Sequence, residues 1–487
     1  MPFAAPCRII EKKEENGKAV LTVKRCILAA LCAALAVALL IVCIVRIDNS
    51  ADPDVPVPPE QNEEPAENTE PEDPEENTEP EEPVEPEDPE ENTEPEEPVE
   101  PEDPEENTEP EKPVEPEDPE ENTEPEQPVE PEQPETAAEW LAQMTLREKV
   151  GQIFWIMPEQ LVPGVADAKI RDSGLVGATA VTDEMRRTME QYPAGGFVLF
   201  GRNIDTPAQL KALTAALRGI GGPAPVITVD EEGGRVARLA NHDGFDVPQV
   251  GSMESLAEAG DPARVRSAAA QIGAYLAAYG FTMDLAPVAD VNTNPKNVVI
   301  GDRAFGSDPE KVAIMVDAYV DGLHSRGVSS VLKHFPGHGD TEADSHRGTV
   351  TINKTWEELL TAELVPFLHN MDVTDAIMVA HLNLPKVTDD GLPASLSREL
   401  VHDRLRGELG YRGLVMTDSL AMGAITKYYE PGQAAVLAFE AGCDVLLIPE
   451  NYVEAFNSLL SAVESGRIPE TRLDESVLRI LRVKLGR

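Results

Sequence analysis

Residues 328–346 read VSSVLKHFPGHGDTEADSH. The first eight form a largely apolar run of strand length that closes on Lys333, His334 and Phe335. From Lys333 onward, fourteen positions hold three histidines, three carboxylates and three helix-breaking residues, Pro336, Gly337 and Gly339. A buried strand that passes straight into a polar loop is how a parallel α/β barrel delivers chemistry, because its functional groups gather where the strands end. Seven further runs of this kind lie around it: VGQIFWIM (150–157), GGFVLF (195–200), PVITVD (225–230), TMDLAPVADV (282–291), AIMVAHL (376–382), GLVMTDSL (413–420) and CDVLLIP (443–449). Helix-like stretches separate them at 207–218, 262–279, 308–326 and 397–408, and two of these open on a cap followed by proline, Thr206-Pro207 and Asp261-Pro262. Eight strands alternating with helices over residues 137–487 predict a single (β/α)8 TIM-type barrel of the α/β class. A doubly wound open sheet would give equally continuous apolar strands, and the count of eight favours the barrel.

The ends of four strands are polar. Strand three ends in Asp230-Glu231-Glu232, strand five in Lys333-His334, strand six in His381-Leu382-Asn383 and strand seven in Thr417-Asp418-Ser419. One such group is ordinarily a satisfied structural residue, whereas four sets are expected to converge on one mouth. The loop after strand five supports two chemistries. His334, His338, Asp340 and His346 are a possible ligand set for zinc, although a Pro-Gly turn separates the first two and no HxH pair ends strand one. Alternatively, Asp344 and His346 flank Ser345 and project from one turn, so that the carboxylate orients the imidazole and raises its basicity for proton transfer near neutrality. Asp418 would then be a nucleophile or an electrostatic partner. Trp155 and Trp356 read as packing residues, not as platforms for a ring.

Charge divides the chain more sharply than length does. Of the formal −50, residues 51–136 supply −38, with 39 acidic residues against the single Lys112. Residues 1–50 stand at +3 and residues 137–487 at −15. No segment after residue 50 offers the excess of cations that neutralises phosphates, so nucleic acid is not an expected partner. From Pro71 the unit PEDPEENTEPEEPVE runs four times, at 71–85, 86–100, 101–115 and 116–130, with Lys112 and Gln127 its only changes. Each unit has one aliphatic residue, so stacking it buries nothing, and its prolines block helix and sheet ladders. Residues 46–136 are therefore expected to form a disordered, self-repelling spacer; in polyproline form, residues 51–136 reach roughly 270 Å at most.

Upstream, residues 26–45 (CILAALCAALAVALLIVCIV) are twenty apolar residues without a charge, enough to cross a bilayer core of roughly 30 Å as a helix. Lys24 and Arg25 abut the run on its N-terminal side, which predicts a cytoplasmic stub, residues 1–25, and an extracytoplasmic remainder. Ala36-Val37-Ala38 offers a competing cleavage site, but the apolar run continues past it. Only Cys443 lies beyond the span, so the outer domain is expected to stand without an intrachain disulfide.

KHFPGHGDTEADSH, together with DEEGGRVAR (230–238), GDRAFG (301–306) and VMTDSLAMGAI (415–425), resembles glycoside hydrolase family 3, and most closely its NagZ-like β-N-acetylhexosaminidase branch. The resemblance covers nearly all of residues 137–487 and none of the anchor or the repeat. It implies Asp418 as a nucleophile that forms a glycosyl-enzyme, His346 as a loop-borne acid/base and Asp344 as its dyad partner. It implies Asp230, Arg238, Arg303, Lys333 and His334 as ligands of the non-reducing-end sugar. Glu231 and Glu232 could be taken for a glycosidase acid pair, but their place in DEEGGR argues for support of Asp230 from behind. Ser419 stands where this branch usually has a second acidic residue. The function implied is a retaining exo-β-N-acetylglucosaminidase acting on carbohydrate, with GlcNAc-bearing wall glycans the expected partner, no metal or cofactor, and a monomeric catalytic domain. Another β-glycosidase, a phosphorylase on the same site, a metal-dependent hydrolase and a catalytically silent wall-binding barrel are the competing readings. In this scheme the spacer is a stalk that carries the barrel from the cell membrane toward the wall.

Overall fold

Eight parallel strands run around a barrel in sequence order: β1 (Phe154–Ile156), β2 (Gly196–Leu199), β3 (Val226–Val229), β4 (Met283–Asp284), β5 (Ser329–Phe335), β6 (Ala376–Val379), β7 (Leu414–Thr417) and β8 (Leu446–Leu447). The computed structural model describes residues 134–166, 170, 175–341, 348 and 350–486. The proposed membrane span at 26–45 and nearly all of the acidic spacer lie outside the described residues, as do Asp344 and His346. Among the described residues no helix is long and apolar enough to cross a membrane.

Each strand pairs with its sequence neighbours, and β1 pairs with β8 through Phe154↔Leu446 and Trp155↔Leu447. The remaining seam, between β7 and β8, is joined by one bridge, Met416↔Val445, and the barrel is thereby nearly closed. The open sheet that periodicity allowed is set aside by this circuit. Several strands are shorter than their apolar runs. The helix Leu146–Ile153 occupies the first half of the stretch read as strand one, because Thr145 caps it in a capping box with Glu148. The run at 282–291 pairs as a strand only at Met283–Asp284, with one further bridge, Val288↔Lys333.

Helices cover the outside: α1 (Asp183–Gln191), α2 (Pro207–Arg218), α3 (Pro262–Ala278), α4 (Pro309–His324), α5 (Val365–Asn370), α6 (Glu399–Glu408, wound as a π-helix), α7 (Pro431–Ala441) and α8 (Tyr452–Glu464), with α9 (Glu470–Lys484) last. Their starts follow the sequence signals. Thr206, Asp261 and Asp308 cap α2, α3 and α4 with their side chains, and proline takes the first turn of each. Helices α3 and α4 pack closely because Gly322 has no side chain: a Cβ there would lie 2.5 Å from the Arg266 carbonyl oxygen. Trp155 and Trp356 are both buried in the core, and Trp155 lies against Gly196 of β2.

The end of the barrel away from the strand termini is held by Asp444, just before β8. This buried carboxylate pairs with Arg406 of α6 and with Arg479 of α9 at 2.9 Å, and accepts the Val415 N–H of β7 at 3.1 Å. Burial alone would raise its pKa, but Arg406, Arg472 and Arg479 hold it below the ordinary value. Asp444→Ala leaves these cations without their carboxylate in a largely dry site, and is expected to lower unfolding stability by about 3–5 kcal/mol, as breaking a buried ion pair does. Urea denaturation of the two proteins checks this, and a loss under about 1 kcal/mol would contradict it.

Candidate active site

The C-terminal ends of the strands surround a cavity of about 250 Å3, smaller than the roughly 300–1,000 Å3 of pockets for drug-sized ligands and suited to a single pyranose ring. Asp230, Glu232, Arg238, Arg303, Lys333, His334 and Asp418 all line it. Every proposed sugar ligand and the proposed nucleophile thus face one space.

Strand β3 delivers the acidic cluster. After Asp230 the chain folds into a tight hairpin, Glu231–Gly233 against Val236–Ala237, whose turn needs the positive φ of Gly233 (97°) and Gly234 (55°). Alternation across the hairpin sends its two glutamates to different places. Glu231 turns inward and accepts the backbone N–H groups of Leu239 and Ala240, each at 2.9 Å, and the Tyr275 hydroxyl at 2.9 Å. It also accepts the Arg238 N–H, which fixes the segment carrying that arginine into the cavity. Burial raises the Glu231 pKa against these donors.

Glu232 does not sit behind Asp230, as the sequence suggested. It reaches the cavity and accepts Nε and Nη2 of Arg303, at 2.7 Å each, and the Lys333 ammonium at 2.6 Å. Lys333 also lies 2.8 Å from Asp230, and Arg238 lies 3.5 Å from the other Asp230 oxygen. Lys333 is 1% exposed and Glu232 likewise. Burial penalises each charge, yet Lys333 and Arg303 hold Glu232 far below the usual carboxylate range, while Asp230 and Glu232 keep Lys333 above its ordinary value. Arg303 is held above its ordinary value by Glu232 in the same way, against its own burial. The result is an alternating network, Arg238–Asp230–Lys333–Glu232–Arg303, of charged donors and acceptors locked in place before any ligand arrives. Such groups grip hydroxyls by charge-assisted hydrogen bonds.

Strand β5 brings His334 beside this network. Its Nδ1 lies 2.7 Å from the buried Asp290, and its Nε2 lies 3.5 Å from Arg303. His338 also lines the cavity, with Nδ1 2.8 Å from the Thr341 hydroxyl, and its pKa is lowered by burial and by His334. Gly339 is required here: a Cβ would lie 1.8 Å from the Val291 carbonyl oxygen, so the turn can press against the segment after β4. Among the described residues no group of three or more histidine, cysteine or acidic side chains forms a metal-ligand set.

Strand β7 brings Asp418. Its N–H donates to the Val379 carbonyl at 2.9 Å, and the Ser419 N–H donates to its Oδ1 at 2.7 Å. His381, expected to join the mouth, instead sits buried beneath it, where Nε2 lies 2.9 Å from the Ser419 carbonyl and Nδ1 2.6 Å from Ser395. It holds the turn that carries Asp418, while strand β6 gives the cavity Met378. Phe200, Met422 and Ile448 are among the other apolar residues that line it. Ile448 is a β-branched residue at φ 46°, a conformation that costs about 1–3 kcal/mol.

Asp290 and Glu232 are the site residues that sequence reading missed or misplaced. The signal for Asp290 was present, since it follows an aliphatic run in the same way as Asp418. For Glu232 no signal in DEEGGR separates it from Glu231, because only the hairpin decides which one faces the cavity.

A parallel barrel whose strand ends line one ring-sized cavity with a carboxylate and a fixed charged network has the layout of a barrel glycosidase. The glycosyl hydrolase family 3 N-terminal domain matches residues 145–483, and the chain belongs to glycoside hydrolase family 3. It is 35% identical over 302 residues to a β-hexosaminidase of Pseudomonas aeruginosa, covering 61% of this chain and 88% of that one. It is 36% identical over 355 residues to the β-hexosaminidase LpqI of Mycobacterium tuberculosis, covering 70% and 84%. Among solved structures, a family 3 β-N-acetylglucosaminidase from Paenibacillus sp. str. FPU-7 superposes with a TM-score of 0.64 at 39% identity, covering 70% of this chain and 62% of that one.

Proposed function

We propose that the protein is a retaining exo-β-N-acetylglucosaminidase that removes terminal β-linked GlcNAc from peptidoglycan-derived glycans. The observation that carries this reading is the one-ring cavity lined at once by Asp418 and by the Asp230–Lys333–Glu232–Arg303 network. A cavity of one-ring size suits a chain end better than the middle of a polymer. The choice of a hexosaminide is supported by the β-hexosaminidase relatives, and that of GlcNAc by the Paenibacillus β-N-acetylglucosaminidase structure.

In the proposed reaction an Asp418 oxygen attacks the anomeric carbon as the bond to the leaving oxygen breaks, and His346 gives that oxygen a proton. A water then loses a proton to His346 and attacks the same carbon, releasing Asp418 and leaving the anomeric configuration unchanged overall. Asp344 orients His346 and stabilises its charged form. Asp230, Arg238, Arg303, Lys333 and His334 hold the sugar while this happens. Residues 26–45 anchor the chain in the cell membrane, residues 46–136 form the spacer, and the barrel, 137–487, acts on the wall side.

The acid/base assignment has its own test in the full-length chain. His346→Ala is expected to lower kcat/KM on poor leaving groups by about 10²–10⁴-fold. A dinitrophenyl leaving group needs no proton, and its bond-breaking step should be nearly unaffected. An equal loss for every leaving group would rule out His346 as the proton donor.

A further inference from the structure

Asp290 spends both carboxylate oxygens on two histidines. Its Oδ2 lies 2.7 Å from Nδ1 of His334, while Oδ1 accepts the backbone N–H of His334 at 3.2 Å and that of His338 at 2.6 Å. The residue is fully buried. Burial alone would raise its pKa, but the His334 and His338 imidazoles and these donors hold it below the ordinary 3.8, so its oxygens accept and do not donate. On the other side of the same ring, Nε2 of His334 lies 3.5 Å from Nη2 of Arg303. A guanidinium has donors and no acceptor.

These two neighbours admit one tautomer. Nδ1 carries the proton, facing a carboxylate, and Nε2 carries the lone pair, facing a donor. Because Nδ1 is committed to a buried group, the Nε2 edge is the one His334 offers to the cavity that it lines.

We propose that Asp290 is a positioning residue that fixes His334 as a hydrogen-bond acceptor, so that the pocket selects a sugar bearing an O–H donor at the position facing that ring. This rests on the reading above that the cavity holds the sugar through His334. A hydroxyl satisfies the lone pair by donating. Fluorine cannot donate, and leaves Nε2 facing an acceptor. The discrimination is therefore set by a residue that never touches the substrate, as when a carboxylate fixes the free edge of a metal-bound imidazole.

The test uses the full-length chain and aryl β-N-acetylglucosaminides, native or with the 3-, 4- or 6-hydroxyl replaced by fluorine. Fluorine also slows the chemistry inductively, but equally in every variant, so the comparison is between enzymes. Asp290→Asn keeps the shape and an oxygen for the two backbone N–H groups. Its NH2 meets Nδ1 of His334 and drives the proton to Nε2. At one ring position, the ratio of kcat/KM for hydroxyl over fluorine is expected to be about tenfold larger in the wild type than in Asp290→Asn, with the difference mainly in KM. His334→Ala should lose the same ratio. If His334→Ala loses it and Asp290→Asn keeps it, the role of Asp290 is wrong while the sugar contact stands. If His334→Ala keeps every wild-type ratio, the sugar contact itself is wrong, and the role of Asp290 with it.

A second measurement needs no variant at position 290. Nitrogen-15 spectra of the wild type, with His334 identified by its absence in His334→Ala, should show a protonated Nδ1 and an unprotonated Nε2 near neutral pH. The reverse tautomer, or protons on both nitrogens, would overturn the proposal.

Discussion

Replacing Asp418 by alanine is expected to lower kcat on an aryl β-N-acetylglucosaminide by about 10⁴-fold or more, a barrier increase of about 5.5 kcal/mol. The size follows from what is removed. Without the carboxylate there is no covalent intermediate, and the developing positive charge at the anomeric carbon loses its nearest anion. The loss should not come from unfolding. The turn is held chiefly by contacts that survive the change, the Asp418 N–H on the Val379 carbonyl and the Ser419 carbonyl on His381, and the side chain adds the local bond from the Ser419 N–H to Oδ1. Circular dichroism and thermal melting of the variant should match the wild type. Azide, small enough for the vacated space, should restore part of the rate and yield an α-glycosyl azide. A variant with wild-type turnover would contradict the assigned role.

Glu232→Ala is expected to damage both stability and binding, which distinguishes it from Asp418→Ala. It leaves Lys333 buried with Asp230 as its remaining ion-pair partner and Arg303 buried with only the longer-range fields of Asp230 and Asp290, and the cost of breaking such a buried pair is about 3–5 kcal/mol. Mutual repulsion of the two cations should also misplace the sugar ligands, so kcat/KM should fall by about 10²–10³-fold, as a 1 Å misplacement can cost. Glu232→Gln keeps the shape and removes the charge, and its stability deficit should depend on pH. The folded pKa of Glu232 is depressed, so its carboxylate stabilises the fold fully above the unfolded value, near 4.5, and this contribution is lost as pH falls through the folded value. The difference between wild type and Glu232→Gln in denaturant midpoint should therefore be constant from pH 7 to about 5.5 and shrink below about 4.5. A difference that grew on acidification would contradict the pairing.

The barrel was legible because its evidence is periodic. Eight apolar runs separated by capped helices leave few alternatives, and Pro207, Pro262 and Pro309 mark helix starts within one residue or so. Strand extents were less legible, since an apolar residue in the barrel wall need not pair: TMDLAPVADV is buried along most of its length while only Met283 and Asp284 form a strand. The site followed the same division. Asp230 and Asp418 stand directly after strands, Lys333 and His334 lie at the end of one, and the structure brings all four to one cavity. Which of two adjacent glutamates faces that cavity depends on a hairpin's side-chain alternation, and whether a strand-end histidine lines the mouth or supports it depends on rotamer and packing. Glu232 and His381 exchanged their expected places for these reasons, and neither was visible in residue order alone.

Trapping the covalent intermediate tests the central claim most directly. The full-length enzyme is incubated with a fluorinated N-acetylglucosaminyl donor carrying a good leaving group, which forms the glycosyl-enzyme faster than it hydrolyses. The protein is then digested and mapped by mass spectrometry. A single added sugar on the peptide containing Asp418, absent in Asp418→Ala, is the predicted result. A label on another residue, or steady turnover with inversion at the anomeric carbon and no adduct, would contradict a double displacement through Asp418.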